Sequence, residues 1–173
     1  VERIIKRQRG IAVEPFYNRV MDFALEFHVG KHGVAYNGIS VFATSSTGAY
    51  TGNYVSDEPC LKRRIPEALQ GYLSDVRKNL QRHLQNVYSQ GYSGPLGVDM
   101  MVVEHKGEKY IHPCVEVNLR QTMGNVCVSL RSQLRRGAAI YRLRPVGDTT
   151  EATLVLTPCA KRIEAVLQTE EAE

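Results

Sequence analysis

A chain of 173 residues, 43% hydrophobic and 23% charged, has the composition of one ordinary globular domain or two small lobes, which excludes a disordered tail, a collagen and a coiled-coil rod. No apolar run approaches the roughly 18 residues of a membrane-spanning helix, so no such helix is expected. The 22 Lys and Arg exceed the 18 Asp and Glu by four, a mild positive balance that permits anionic ligands without demanding nucleic acid. Its basic clusters, such as Lys62-Arg63-Arg64 and Arg131 to Arg136, are not interleaved with aromatics, and Trp is absent. That argues against a nucleic-acid surface. Cys60, Cys114, Cys127 and Cys159 form no Cys-x-x-Cys pair. Cys114 and Cys127 sit among apolar neighbours and are expected to be reduced core residues of a cytoplasmic protein. The chain opens Val1-Glu2-Arg3 with no signal peptide, and position 1 is not Met, so a piece of something longer is expected.

In chain order, Val1 to Arg9 reads as a helix end closed by Gly10, and Ile11 to Phe16 as a short strand. Phe23, Leu25, Phe27 and Val29 alternate, so Met21 to Val29 predicts a strand with one apolar face. Val34 to Thr44 and Ala49 to Val55 extend this into an antiparallel meander of three or four strands. Ile65, Leu69, Leu73, Val76, Leu80, Leu84 and Val87 recur at helical spacing. They predict one long amphipathic helix starting near Pro66, with Arg77, Lys78, Gln81, Arg82 and Gln85 on its solvated face. Val98 to Glu104 and Tyr110 to Asn118 read as a hairpin turning at Lys106-Gly107. A helix over Thr122 to Leu134 with Thr122 as N-cap follows, then strands at Ala138 to Arg144 and Thr153 to Thr157, a last helix at Ala160 to Gln168 and an acidic tail.

The hairpin carries the sharpest chemistry. Glu116, Asn118 and Arg120 are spaced by two, so a strand turns all three to one face, and Asp99 on the partner strand can face them near the open end. Two carboxylates and an amide oxygen make an all-oxygen cluster suited to Mg²⁺, which takes one or two carboxylates plus substrate phosphates. Arg120 can grip a phosphate or a carboxylate through two N–H groups. Cys114, Val115, Val117 and Leu119 make the strand read as mostly buried, and buried polar groups need partners.

Gly94-x-x-Gly97-Val98-Asp99, a hairpin, then Val115-Glu116-Val117-Asn118-Leu119-Arg120 resembles the metal-binding end of the ATP-grasp superfamily, ATP-dependent carboxylate–amine or carboxylate–thiol ligases and their carboxylase relatives. Upstream, Ala12-Val13-Glu14-Pro15-Phe16 resembles the hinge on which adenine lies, and Asp22-Phe23-Ala24-Leu25 the strand whose acidic residue meets the ribose. The resemblance runs from about Ile11 to Leu134. It implies an α+β fold, the C-terminal lobe of an ATP-grasp protein, mostly antiparallel with a long packed helix. The residues it implies are Val13, Glu14, Pro15 and Phe16 for adenine, Asp22 for ribose, Asp99, Glu116 and Asn118 for Mg²⁺, and Arg120 for the transferred phosphoryl group. The implied ligands are ATP, Mg²⁺ and a small carboxylate, activated as an acyl-phosphate and attacked by an amine or thiol.

Two departures stand out. Asn53 falls where many members carry a phosphate-binding Lys, for which Lys62, Arg63 or Arg64 are candidate substitutes. The family's N-terminal domain and glycine-rich lobe are not in this sequence, so residues 1–173 are expected to form one partial ATP-grasp domain, weakly active or inactive alone. Two further readings stay open: a degenerate nucleotide- or partner-binding module without turnover, supported by Asn53, and a basic α+β module that holds nucleic acid through Arg131 to Arg144. The acid, the nucleophile and the oligomeric state are not readable from the sequence.

Overall fold

The computed structural model of the chain describes residues 2–11, 13–88, 91–134, 138–146 and 149–157. The last helix expected at 160–168 and the acidic tail lie outside them, as do Ala12 of the hinge segment and the Arg135-Arg136-Gly137 helix end. The architecture is α+β, with one antiparallel sheet of seven strands in the order β5-β4-β1-β2-β3-β6-β7. These are β1 (Asn18–Gly30), β2 (Gly33–Thr44), β3 (Tyr50–Val55), β4 (Gly94–His105), β5 (Glu108–Asn118), β6 (Ala138–Val146) and β7 (Thr149–Thr157). The meander is therefore the middle of a wider sheet, flanked on one side by the β4–β5 hairpin and on the other by β6 and β7. That hairpin turns where expected: Lys106 and Gly107 both have positive φ, which matches the right-handed twist of the strands they join.

The apolar alternation of β1 holds. Phe23, Leu25, Phe27 and Val29 are all buried, in one core with Ile39 and Val41 of β2 and Leu96, Val98, Met100 and Val102 of β4. Each such side chain contributes about 2 kcal/mol on burial. Helices close this core from one side, α2 (Glu58–Lys62), α3 (Glu67–Gln70) and α4 (Leu73–Tyr88), through Leu61, Ile65, Leu69, Leu73 and Leu84.

The long helix does start just past Pro66, but it is broken into α3 and α4, and a further short helix precedes it. That one, α2, starts at Glu58 because Asp57 caps it by accepting from the Cys60 N–H, with Pro59 in its first turn. Pro66 then interrupts the ladder, since it has no N–H to donate and adopts an extended ψ of 133°. Nor are Gln81 and Gln85 merely solvated. Gln81 donates to the Val34 carbonyl and Gln85 accepts from the Val34 N–H, so α4 grips the start of β2 by its backbone. Arg77 lies over the Tyr36 ring, 5.0 Å from its centre.

Four other expectations are corrected. Residues 13–17 form no strand, and α1 (Glu2–Gln8) ends at Arg9, which takes the positive φ expected of Gly10. β5 is an edge strand and mostly exposed, with Val115 and, just past its end, Leu119 open to solvent; among the described residues no strand pairs with its outer edge. Cys114 is exposed for the same reason, whereas Cys127 is buried, and both are free thiols, as is Cys60.

The other face of the sheet carries α5 (Met123–Leu130), capped by Thr122 as expected and followed by a 3-10 turn at Arg131–Gln133. Its apolar side packs on Val55, Ala139 and Tyr141. β1 is consequently sealed on both faces, and Ala24 and Glu26 are each only 1% exposed.

Candidate functional site

Strand pairing assembles the oxygen cluster. Asp99 of β4 lies directly opposite Glu116 of β5, and Gly97 opposite Asn118. Asn118 donates from Nδ2 to Asp99 Oδ2 at 3.0 Å, and Arg120 Nη2 donates to Asn118 Oδ1 at 2.9 Å. Asp99, Asn118 and Arg120 thus form one hydrogen-bonded line with Glu116 beside it. Burial pushes the Asp99 carboxyl up to about 6, and the Glu116 charge adds to it; the Asn118 and Arg120 contacts offset only part.

Asp22 lies on the same face, because Ala24 pairs with Asp99 and Asp22 is two residues before it. Its carboxylate accepts from Thr44 Oγ1 at 2.6 Å and meets Arg19 at 3.3 Å. It lines a cavity of about 650 Å³ whose walls also carry Val20, Phe42, Cys60, Arg63 and Arg64. Arg64 lies over the Tyr54 ring. The hinge residues stand apart from this cavity. Val13, Glu14, Pro15 and Phe16 are exposed on the segment entering β1, Phe16 fully so.

Asn53 is buried. It is 1% exposed, donates toward the Val41 carbonyl and accepts from the Tyr50 hydroxyl. A Lys there must bury an ammonium among neutral groups. Asn53→Lys is therefore expected to cost about 3 kcal/mol or more of stability and to gain no phosphate affinity, checked by urea denaturation and by phosphate titration.

A second polar group escaped the sequence reading. Glu26 looks like an ordinary polar residue of an alternating strand, yet its carboxylate is buried under α5. Ser40 Oγ donates to Oε1 at 3.0 Å; Thr122 Oγ1 and Asn125 Nδ2 both donate to Oε2 at 2.8 Å. Asn125 also accepts from Asn37. Burial pushes this carboxyl up to about 7, against the lowering effect of Thr122 and Ser40. No local signal marks Glu26, since its donors lie 14 to 99 residues away.

Among the described residues no three His, Cys, Asp or Glu side chains converge as a metal site. The oxygen set for a cation is the Asp99–Glu116 pair with the Asn118 amide. Two carboxyl groups and an amide oxygen facing one another across a strand pair are the donor chemistry a divalent cation takes, so these residues fit one.

No family model matches the sequence, and no curated protein matches it. Solved structures do. One is described as an ATP-grasp superfamily protein from Archaeoglobus fulgidus, matched at 16% identity with a TM-score of 0.50 over 82% of this chain and 47% of that one. Another is Rhizobium etli pyruvate carboxylase T882A with the allosteric activator acetyl coenzyme-A, at 12% identity and a TM-score of 0.53, over 92% of this chain and 21% of that one. The chain spans less than half of either. These two matches show the fold alone: this chain is similar in fold to a structure described as an ATP-grasp superfamily protein and to part of a pyruvate carboxylase.

Proposed function

We propose that the chain is the ATP- and Mg²⁺-binding half of a cytoplasmic ATP-grasp ligase that activates a small carboxylate as an acyl-phosphate for attack by an amine or thiol. The observation that carries this reading is the placement of Asp99 opposite Glu116, with Asn118 and Arg120 in line and Asp22 on the same face. Asp22 would hold the ribose. Val13 and Phe16 offer exposed apolar surface to the adenine, beside the backbone of Glu14 and Pro15. Asp99, Glu116 and the Asn118 oxygen would hold Mg²⁺, which when bound neutralises phosphate charge. Arg120 would steady the transferred phosphoryl group, and Arg63 and Arg64, on the cavity that Asp22 lines, would replace the Lys missing at position 53. Among the described residues no helix is long and apolar enough to cross a membrane.

The test is calorimetric titration of ADP with and without Mg²⁺, beside Glu116→Gln. Binding should require Mg²⁺ and weaken about tenfold or more in the variant, the loss of one charge-assisted ligand. It should also strengthen as pH rises through about 6, where Asp99 gives up its proton. Binding indifferent to Mg²⁺ and to Glu116 sinks the reading. The buried Asn53 favours a second one, a nucleotide-binding module without turnover. Mg²⁺-dependent binding with no phosphoryl transfer by the longer parent chain would select it.

A further inference from the structure

Arg120 sits on a short exposed span. Leu119, Arg120 and Gln121 are open to solvent, while Asn118 and Thr122 on either side are each 7% exposed. The span is therefore held at two anchors, and where Arg120 can reach depends on both. The first is the Asn118 contact with Asp99. The second is Thr122, whose hydroxyl accepts from the Asn125 N–H at 2.9 Å and donates to Glu26.

Glu26 gathers this second anchor on one carboxylate, with donors from β2 and from both Thr122 and Asn125 at the start of α5. The fit has no slack. A Cβ at Gly124 would stand 1.9 Å from Glu26 Oε1, and one at Gly97 would stand 2.7 Å from Oε2 and 2.9 Å from Thr122 Cγ2. Holding a helix on a sheet does not require a buried carboxylate, and burying one is costly unless its hydrogen bonds are all made. What three converging donors and two closely apposed glycines provide is a single permitted position for Thr122, two residues from Arg120.

We propose that Glu26 is a positioning residue for Arg120, acting through Thr122 and Asn125 to fix the span 119–121 that carries the guanidinium to the Asn118 amide beside the Asp99–Glu116 pair. The proposal rests on the reading of Arg120 as the phosphoryl-binding residue, and it deepens that reading.

The experiment uses the full chain with Thr122→Val, Glu26→Ala and Glu26→Gln. The Gln variant is the conservative rescue: its carbonyl can accept from Thr122 and Asn125 while its amide donates to the Ser40 hydroxyl. In hydrogen exchange, which needs no ligand, amides 119–126 should exchange about tenfold faster in Thr122→Val and Glu26→Ala, with β1 and β4 unchanged. Glu26→Gln should exchange as the parent does. In binding of Mg²⁺ with adenylyl imidodiphosphate, Thr122→Val should lose about tenfold in affinity, yet lose nothing more when Arg120 is already Ala. An equal loss in the Arg120→Ala background marks a merely structural role and overturns the proposal. So does unchanged exchange at 119–126 in both Thr122→Val and Glu26→Ala. If the parent binds no nucleotide, the reading of the site fails by itself, and the exchange result still decides whether Glu26 fixes the span.

Discussion

Gly124→Ala is expected to cost about 3 kcal/mol of folding stability or more, the upper range for overpacking a closed core. The added methyl would meet Glu26 Oε1 at 1.9 Å and Ser40 Oγ at 2.4 Å, well inside any tolerated contact. Neither neighbour can swing away without breaking hydrogen bonds on a buried carboxyl group, which leaves buried polar groups unpaired. The helix-propensity gain of Ala over Gly, about 1 kcal/mol, is too small to compensate. Gly71 is the matched control. Its φ of −60° suits any residue, and nothing lies within 4 Å of an added Cβ, so Gly71→Ala should stabilise by a few tenths of a kcal/mol up to about 1. Urea denaturation of the two variants should move the midpoint in opposite directions. A neutral Gly124→Ala would mean that α5 does not press on Glu26 as the structure has it.

The second large effect is a pH dependence that one substitution removes. Glu26 is held at about 7 in the fold against 4.5 when unfolded. A raised carboxyl favours the folded state in its protonated form, so its stabilising contribution is complete below about 4.5 and is lost as pH rises through about 7. Across that interval the parent should lose about 3 kcal/mol. Glu26→Gln mimics the protonated acid at every pH. The two proteins should therefore be nearly equal in stability near pH 4.5, and the variant about 3 kcal/mol more stable near pH 8. Asp99, pushed up to about 6, tilts the curve the same way but is present in both proteins and largely cancels in the difference. Denaturation at pH 5 and pH 8 checks this; parallel curves would show that Glu26 is not buried in an uncharged form.

These effects centre on a residue that the reading of β1 passed over, while the oxygen cluster beside it was legible from the start. The difference is one of range. Asp99, Glu116 and Asn118 belong to one hairpin, where the period of two and a short Lys106-Gly107 turn leave little freedom in which residues face each other. The Thr122 cap is local for the same reason, a hydroxyl meeting an N–H three residues ahead.

What the sequence by itself determined was of this kind: the alternation of β1, the apolar stripe of the helices, the hairpin with its facing carboxylates, and the order of motifs that resembles an ATP-grasp lobe. What only the tertiary structure decided was which of those surfaces is covered. The apolar run at the end of β5 reads as buried but lies at the sheet edge, so Cys114, Val115 and, just past the strand, Leu119 face water. Asn53 and Glu26 carry the polarity of a solvent face but lie sealed inside, Glu26 directly beneath α5, a helix some hundred residues further on. Gln81 and Gln85 look like a wetted helix face but hold the backbone of Val34. Periodicity reports which residues share a face, because that follows from backbone geometry. Whether that face is dry depends on what packs against it, and those partners are set by contacts between distant parts of the chain.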